Sequence, residues 1–227
     1  MLALLAQLHA QAPIETLDWV GTSMGGLIGM GITGQPGLPL PVPVRRMVLN
    51  DVGPVIEWAS LERIGSYVGK SLQFPNFESA AAAMSQISEG FGPHTDEQWR
   101  KLSQAMVKPN PQGGVVLHYD PKISAPMALM TRETAQAGET LLWQLYDQIQ
   151  AQVLLIRGAD SDLLSASTAQ AMAARGPKAH CTELEGVGHA PTLVAPGQVA
   201  LIRKFLQGEK GLPASISLAQ QAQEEAE

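Results

Sequence analysis

Gly21-Thr22-Ser23-Met24-Gly25 places a serine two residues from a glycine on either side, with an apolar strand-like run before it and a helix-like run after it. At a sharp strand-to-helix turn such a serine is held in strained backbone geometry, its hydroxyl exposed above a sheet and the following N–H aimed at a developing oxyanion. Ser23 is therefore a candidate nucleophile. Gly21 and Gly25 read as steric necessities, since side chains there would collide across so tight a turn. With 22 Gly and 14 Ser in the chain, chance alone supplies about 0.13 such patterns, so the serine has to be read together with its partners.

Those partners are a histidine to take the serine's proton and a carboxylate to orient the histidine. Residues 151–157 read as a buried parallel strand that runs into Gly158-Ala159-Asp160-Ser161-Asp162-Leu163-Leu164. A carboxylate just past the C-terminal end of such a strand lies where open sheets place their chemistry. Residues 179–184 are a weaker strand candidate, followed by Gly186-Val187-Gly188-His189-Ala190-Pro191. The glycines and the proline put His189 on an irregular loop. His9 falls in a predicted helix and His180 in a predicted strand, so neither shares that placement; His94 and His118 complete the set. Asp160 and Asp162 lie two apart, and only one of them can face the imidazole. Asp51, directly after the strand 44–50, is a third candidate.

This combination resembles the α/β-hydrolase family, whose order is serine, acid, histidine: a nucleophile elbow at Ser23, an acid after a later strand, and a Gly-His loop after the last one. The resemblance implies an α/β-hydrolase fold, a mostly parallel sheet with helices on both faces and an inserted helical cap. By it Ser23 is the nucleophile, His189 the general base and acid, and the Met24 backbone N–H one oxyanion donor. Asp162 becomes the orienting acid, because the Gly-x-x-Ser-Asp-Leu-Leu run is similar to the family loop in which the later aspartate serves. Asp51 occupies a position that some members use instead. The activity implied is a serine hydrolase acting on a carboxylic ester or related acyl substrate through an acyl-enzyme, with no cofactor. Thioesterases, lactonases, carbon–carbon bond hydrolases and acyltransferases carry the same triad, whereas a serine at the elbow argues against epoxide hydrolases and dehalogenases.

Four strands are legible, at 14–20, 44–50, 151–157 and 179–184. After the elbow, Met24, Leu27, Ile28 and Met30 fit one helical face, and Gly25, Gly26, Gly29 and Gly31 are expected to let that helix lie close to the sheet. The segments 58–70, 77–89 and 96–107 are helical by composition and separated by prolines and glycines. They read as a cap over 55–137, inserted into a core of 1–54 and 138–210, with the helix 139–149 returning to the sheet. Trp58, Met84, Phe91, Trp99, Met127 and Met130 are candidates to line a substrate pocket, although such residues at helical spacing more often serve as plain core. The polar segment 211–227 is expected to be a disordered tail.

The family sheet has about eight strands, so the front of the fold, including the loop that supplies a second oxyanion N–H, is expected to be missing. The elbow strand would then be an exposed sheet edge that invites association into oligomers. An inactive or partner-dependent fragment is the competing reading.

A net charge of −6 with scattered Lys and Arg gives no basic patch, which argues against nucleic acid as a partner. Cys181 is the sole cysteine, so no internal disulfide forms; this suits a reducing, cytoplasmic setting. The first twelve residues lack the basic start of a signal peptide and read as an amphipathic helix. No run approaches the ~18 apolar residues of a membrane span. The sequence contains no metal-ligand spacing of Cys or His. The expected partner is a small-molecule ester or acyl compound.

Overall fold

The computed structural model describes residues 1–223. The chain opens with α1 (Leu2–Gln11), β1 (Leu17–Thr22), α2 (Met24–Gly34) and β2 (Val44–Asn50). An inserted segment follows, holding α3 (Trp58–Gly65), β3 (Gln73–Phe74), α4 (Phe77–Ile87), α5 (Asp96–Met106), β4 (Val107–Pro109), β5 (Val115–Leu117) and the short α6 (Ala125–Ala128). The chain then returns through α7 (Arg132–Asp147) to β6 (Gln152–Gly158), α8 (Ala166–Ala174), β7 (His180–Leu184), α9 (Pro196–Gln207), β8 (Ser215–Ile216) and α10 (Leu218–Ala222).

Parallel pairing orders the main sheet β1-β2-β6-β7-β8. The middle of each central strand, Met47 to Leu49 in β2 and Val153 to Ile156 in β6, is apolar without interruption because both faces are covered. Along β2 and β6 the side chains alternate: Met47, Leu49, Val153 and Leu155 join one core with Met30, Tyr146 and Met172 from α2, α7 and α8. Val48, Leu154 and Ile156 join a second core with Leu201 and Phe205 of α9. Helices therefore cover both faces, as the sequence leads one to expect. All four expected strands are present. Among the described residues β1 pairs only with β2, so it forms one edge of the sheet.

Two expectations need correction. Residues 211–223 are not a disordered tail: Ile216 pairs with Leu184 to add a fifth strand, and Ser217 caps α10 through its hydroxyl. Gln221 is buried and accepts from the Gln198 side-chain amide at 2.9 Å. A two-residue strand and a polar five-residue helix carry too little periodicity to be read from composition. The rest of the expected tail, 224–227, lies outside the described residues. The inserted segment is also more than helical, because β3, β5 and β4 form a small antiparallel sheet. Its hairpin turns through Gly113 and Gly114, both at positive φ, where glycine carries no steric penalty.

Glycine spacing sets how closely α2 lies on the sheet. A side chain on Gly21 would stand 2.5 Å from the Gly25 carbonyl, and one on Gly29 2.5 Å from both Trp19 Nε1 and Met47 Cε; one on Gly26 would strike Val52. At Gly25 and Gly31 the same atom meets open space. The close approach therefore rests on Gly21, Gly26 and Gly29, and the steric role expected of Gly25 and Gly31 is not present.

Candidate active site

Ser23 lies between β1 and α2 with φ 50° and ψ −119°, a backbone conformation that a non-glycine residue adopts only where its surroundings impose it. Those surroundings are visible. The Ser23 N–H donates to the Asn50 carbonyl at 3.1 Å, and the Ser23 carbonyl accepts from Gly26 and Leu27 at 2.8 and 3.2 Å. Trp19 Nε1 donates to the Gly25 carbonyl at 3.0 Å, tying the strand to the helix it feeds. Met24 is the first residue of α2, so its N–H has no carbonyl partner within the helix and stands at the positive end of the helix dipole.

His189 reaches Ser23 from the loop after β7, with Nε2 3.0 Å from Ser23 Oγ. Its Nδ1 lies 2.8 Å from Oδ2 of Asp51. A carboxylate can only accept, so Nδ1 carries the proton and the Nε2 lone pair faces the serine hydroxyl. Asp51 is fully buried and the His189 side chain nearly so, at 0% and 9% exposure, and burial strengthens the attraction between a carboxylate and a charged imidazole. Three donors converge on this carboxylate: Gly158 N–H on Oδ1 at 2.9 Å, and on Oδ2 the Ser161 hydroxyl at 2.6 Å together with His189.

The structure thus brings Ser23 and His189 together, as expected, and sets Asp51 rather than Asp162 beside the imidazole. Asp162 does not face the imidazole. Its carboxylate accepts from Arg63 Nε and Nη2, both at 2.9 Å, and is half exposed. Asp160 is exposed and donates its N–H to the Val187 carbonyl at 2.9 Å. Both lie on the turn after β6, whereas Asp51 leaves β2, the strand beside the elbow strand, and enters the site at φ 53°. Periodicity places aspartates just beyond both strands and cannot show which one points inward. Sequence reasoning also missed Asn50 and Ser161. Asn50 Nδ2 donates to Thr22 Oγ1 at 3.0 Å and to the Pro191 carbonyl at 2.8 Å, joining the elbow to the histidine loop.

Two cavities meet the Ser23–His189 pair. One of about 590 Å³ is lined by His189, Gly188, Arg63, Met84 and Phe91 among others. The other, of about 650 Å³, is lined by Ser23, Met24, Trp58, Met127 and Met130 among others. Five of the six residues singled out as pocket candidates therefore line a cavity; Trp99 instead packs against His94 at a tilt of 42°, ring centroids 4.7 Å apart. The inserted segment is fastened to the core beside the site. The Gly188 N–H donates to the Gly90 carbonyl at 2.6 Å, His94 Nε2 lies 2.6 Å from Thr192 Oγ1, and the Ser60 hydroxyl donates to the Asp162 carbonyl at 2.6 Å.

Cys181 packs against the first core, and burial pushes its thiol up, away from thiolate, in line with an inert packing role. Among the described residues, no cluster of His, Cys, Asp and Glu has the geometry of a metal site, and no helix is long and apolar enough to cross a membrane.

A sequence profile of the alpha/beta hydrolase family matches residues 2–200. A 3-hydroxybutyrate-oligomer hydrolase from Cupriavidus necator is 46% identical over 212 residues, which span 92% of this chain and 69% of that protein. Among solved structures, an alpha/beta hydrolase from Novosphingobium aromaticivorans superposes with a TM-score of 0.74 at 34% identity, covering 91% of this chain and 70% of the other. A protein of Rickettsia typhi superposes with a TM-score of 0.77 at 26% identity, covering 92% and 68%.

Proposed function

The chain belongs to the alpha/beta hydrolase family, and on that premise we propose that it is a serine hydrolase of carboxylic esters whose triad is Ser23, His189 and Asp51. The observation that carries this reading is the continuous hydrogen-bonded line from Ser23 Oγ through His189 to Asp51, at 3.0 and 2.8 Å. Nε2 takes the hydroxyl proton as Ser23 Oγ attacks the ester carbonyl carbon, and the carbonyl oxygen becomes an oxyanion facing the Met24 N–H. Collapse of the tetrahedral intermediate breaks the bond to the alcohol, which leaves with the proton held on His189. Water then attacks the acyl-enzyme, giving its proton to Nε2, and the carboxylic acid departs as Ser23 recovers its hydrogen. Asp51 stays ionised throughout and holds the imidazole in the tautomer the reaction needs.

Cavity space adjoins both partners, one chamber at His189 and the other at Ser23. That layout suits an ester with sizeable groups on both sides of the scissile bond, with the inserted segment acting as the cap that shapes them. Together with the Cupriavidus necator relative, it favours a short linear ester of hydroxy acids, of the 3-hydroxybutyrate type, as substrate. The test is to incubate the chain with the 3-hydroxybutyrate trimer and follow monomer and dimer by chromatography. Release by the parent chain and none by Ser23→Ala supports the proposal. Release by Ser23→Ala refutes the nucleophile, and hydrolysis of p-nitrophenyl butyrate without any attack on the trimer refutes the substrate class alone.

A further inference from the structure

We propose that Ser161 is a positioning residue of the reaction: its hydroxyl fixes the Asp51 carboxylate, and through it His189, in the geometry that serves Ser23. The inference rests on the triad reading above and adds a fourth side chain to it. Ser161 lies on the turn after β6, its N–H bound to the Gly158 carbonyl at 3.0 Å. Its Oγ accepts the N–H groups of Leu163 and Leu164 at 3.3 and 3.1 Å. Those two donors occupy the oxygen's lone pairs, which leaves the hydroxyl proton one direction, toward Asp51 Oδ2 at 2.6 Å. That separation is in the short range of a hydroxyl bound to an ionised carboxylate.

Geometry gives this bond a task. Gly158 N–H holds Oδ1 and Ser161 holds Oδ2, so the two donors together stop the carboxylate from rotating about its Cβ–Cγ bond. Without Ser161, Oδ2 would keep only its bond to His189, the very imidazole it has to orient, and nothing independent would fix it. Oδ2 is also the atom that receives His189 Nδ1, so any rotation would swing the imidazole away from Ser23 Oγ. The turn is itself gripped from the other side, where Ser60 and Arg63 of α3 bind the backbone and side chain of Asp162, the next residue.

The experiment uses the full chain with p-nitrophenyl butyrate as probe. It compares Ser161→Ala and Ser161→Cys with the parent in kcat, KM, urea midpoint and the low-field proton resonance of His189 Nδ1. A hydrogen bond to a charged group lost without a replacement corresponds to about tenfold or more in rate. Ser161→Ala is therefore expected to lose about tenfold or more in kcat, with KM within about twofold, and to displace the resonance. Cysteine keeps the size but donates weakly, so its kcat should also fall, between alanine and serine. A folded Ser161→Ala with parental kcat and an unmoved resonance overturns the proposal. Should the alanine variant not fold, Ser161→Cys with parental kcat overturns it, and reduced kcat in that folded variant supports it. Ser23→Ala and Asp51→Asn are assayed beside them. If either retains parental turnover the triad reading has failed, whereas loss in both with Ser161→Ala unaffected rejects this inference alone.

Discussion

At the scale of single residues, the decisive contrast is between two aspartates beyond the ends of buried strands, Asp51 directly after β2 and Asp162 on the turn after β6. Asp51 is fully buried and bonded to His189, while Asp162 is half exposed and paired with Arg63. Replacing the orienting acid of a triad by its amide leaves the histidine in the wrong tautomer and costs about 10⁴ in kcat. Asp51→Asn is accordingly expected to lose on the order of 10³–10⁴ in kcat. Asp162→Asn removes a solvent-exposed ion pair of small worth and should lose less than about tenfold. Steady-state kinetics on a chromogenic butyrate ester reads both. Ser23 and His189 were legible in the sequence because each sits among glycines at a strand's end, where Gly21 has no room for a side chain and Gly186 takes positive φ. The carboxylate partner of His189 was not, since a strand with aspartate beyond its end occurs twice and the choice depends on how neighbouring strands line up in space.

At the scale of elements, α2 shows how a glycine count misleads until packing is known. Every second or third position in the helix invites the same reading, yet Gly29 faces Trp19 and Met47 while Gly31 faces open space. Gly29→Ala places a methyl where no room exists and should destabilise by about 1–3 kcal/mol. Gly31→Ala adds helix propensity without a clash and should stabilise by about 0.5–1 kcal/mol. Urea unfolding of the two variants gives opposite signs if the packing is as described. The strands were legible for a related reason: β2 and β6 are apolar on both faces and long enough to show it. The pieces that escaped notice, β3, β4, β5 and β8, are two or three residues long, too short for any period to register.

At the scale of the whole molecule, two cores back to back on one sheet hold the elbow, the acid and the histidine loop in a common frame. Tyr146, fully buried in the first core, joins α7 to α8 by donating to the Met172 carbonyl at 2.7 Å. Burial pushes its phenol above the ordinary value of 10.0. The folded state thus holds this proton more tightly than the unfolded chain. The contribution is intact below about pH 10 and is lost as pH rises beyond it. The urea midpoint should therefore fall more steeply above about pH 10 in the parent than in Tyr146→Phe.

The central claim, that this frame assembles a working triad from Ser23, His189 and Asp51, is tested most directly by covalent labelling with a fluorophosphonate and mass mapping of the adduct. One adduct is expected, on Ser23, formed rapidly by the parent chain and by Asp162→Asn, and slowed by on the order of 10² or more in His189→Ala and Asp51→Asn. An adduct on another serine, or labelling that depends on Asp162 and is indifferent to Asp51, would contradict it.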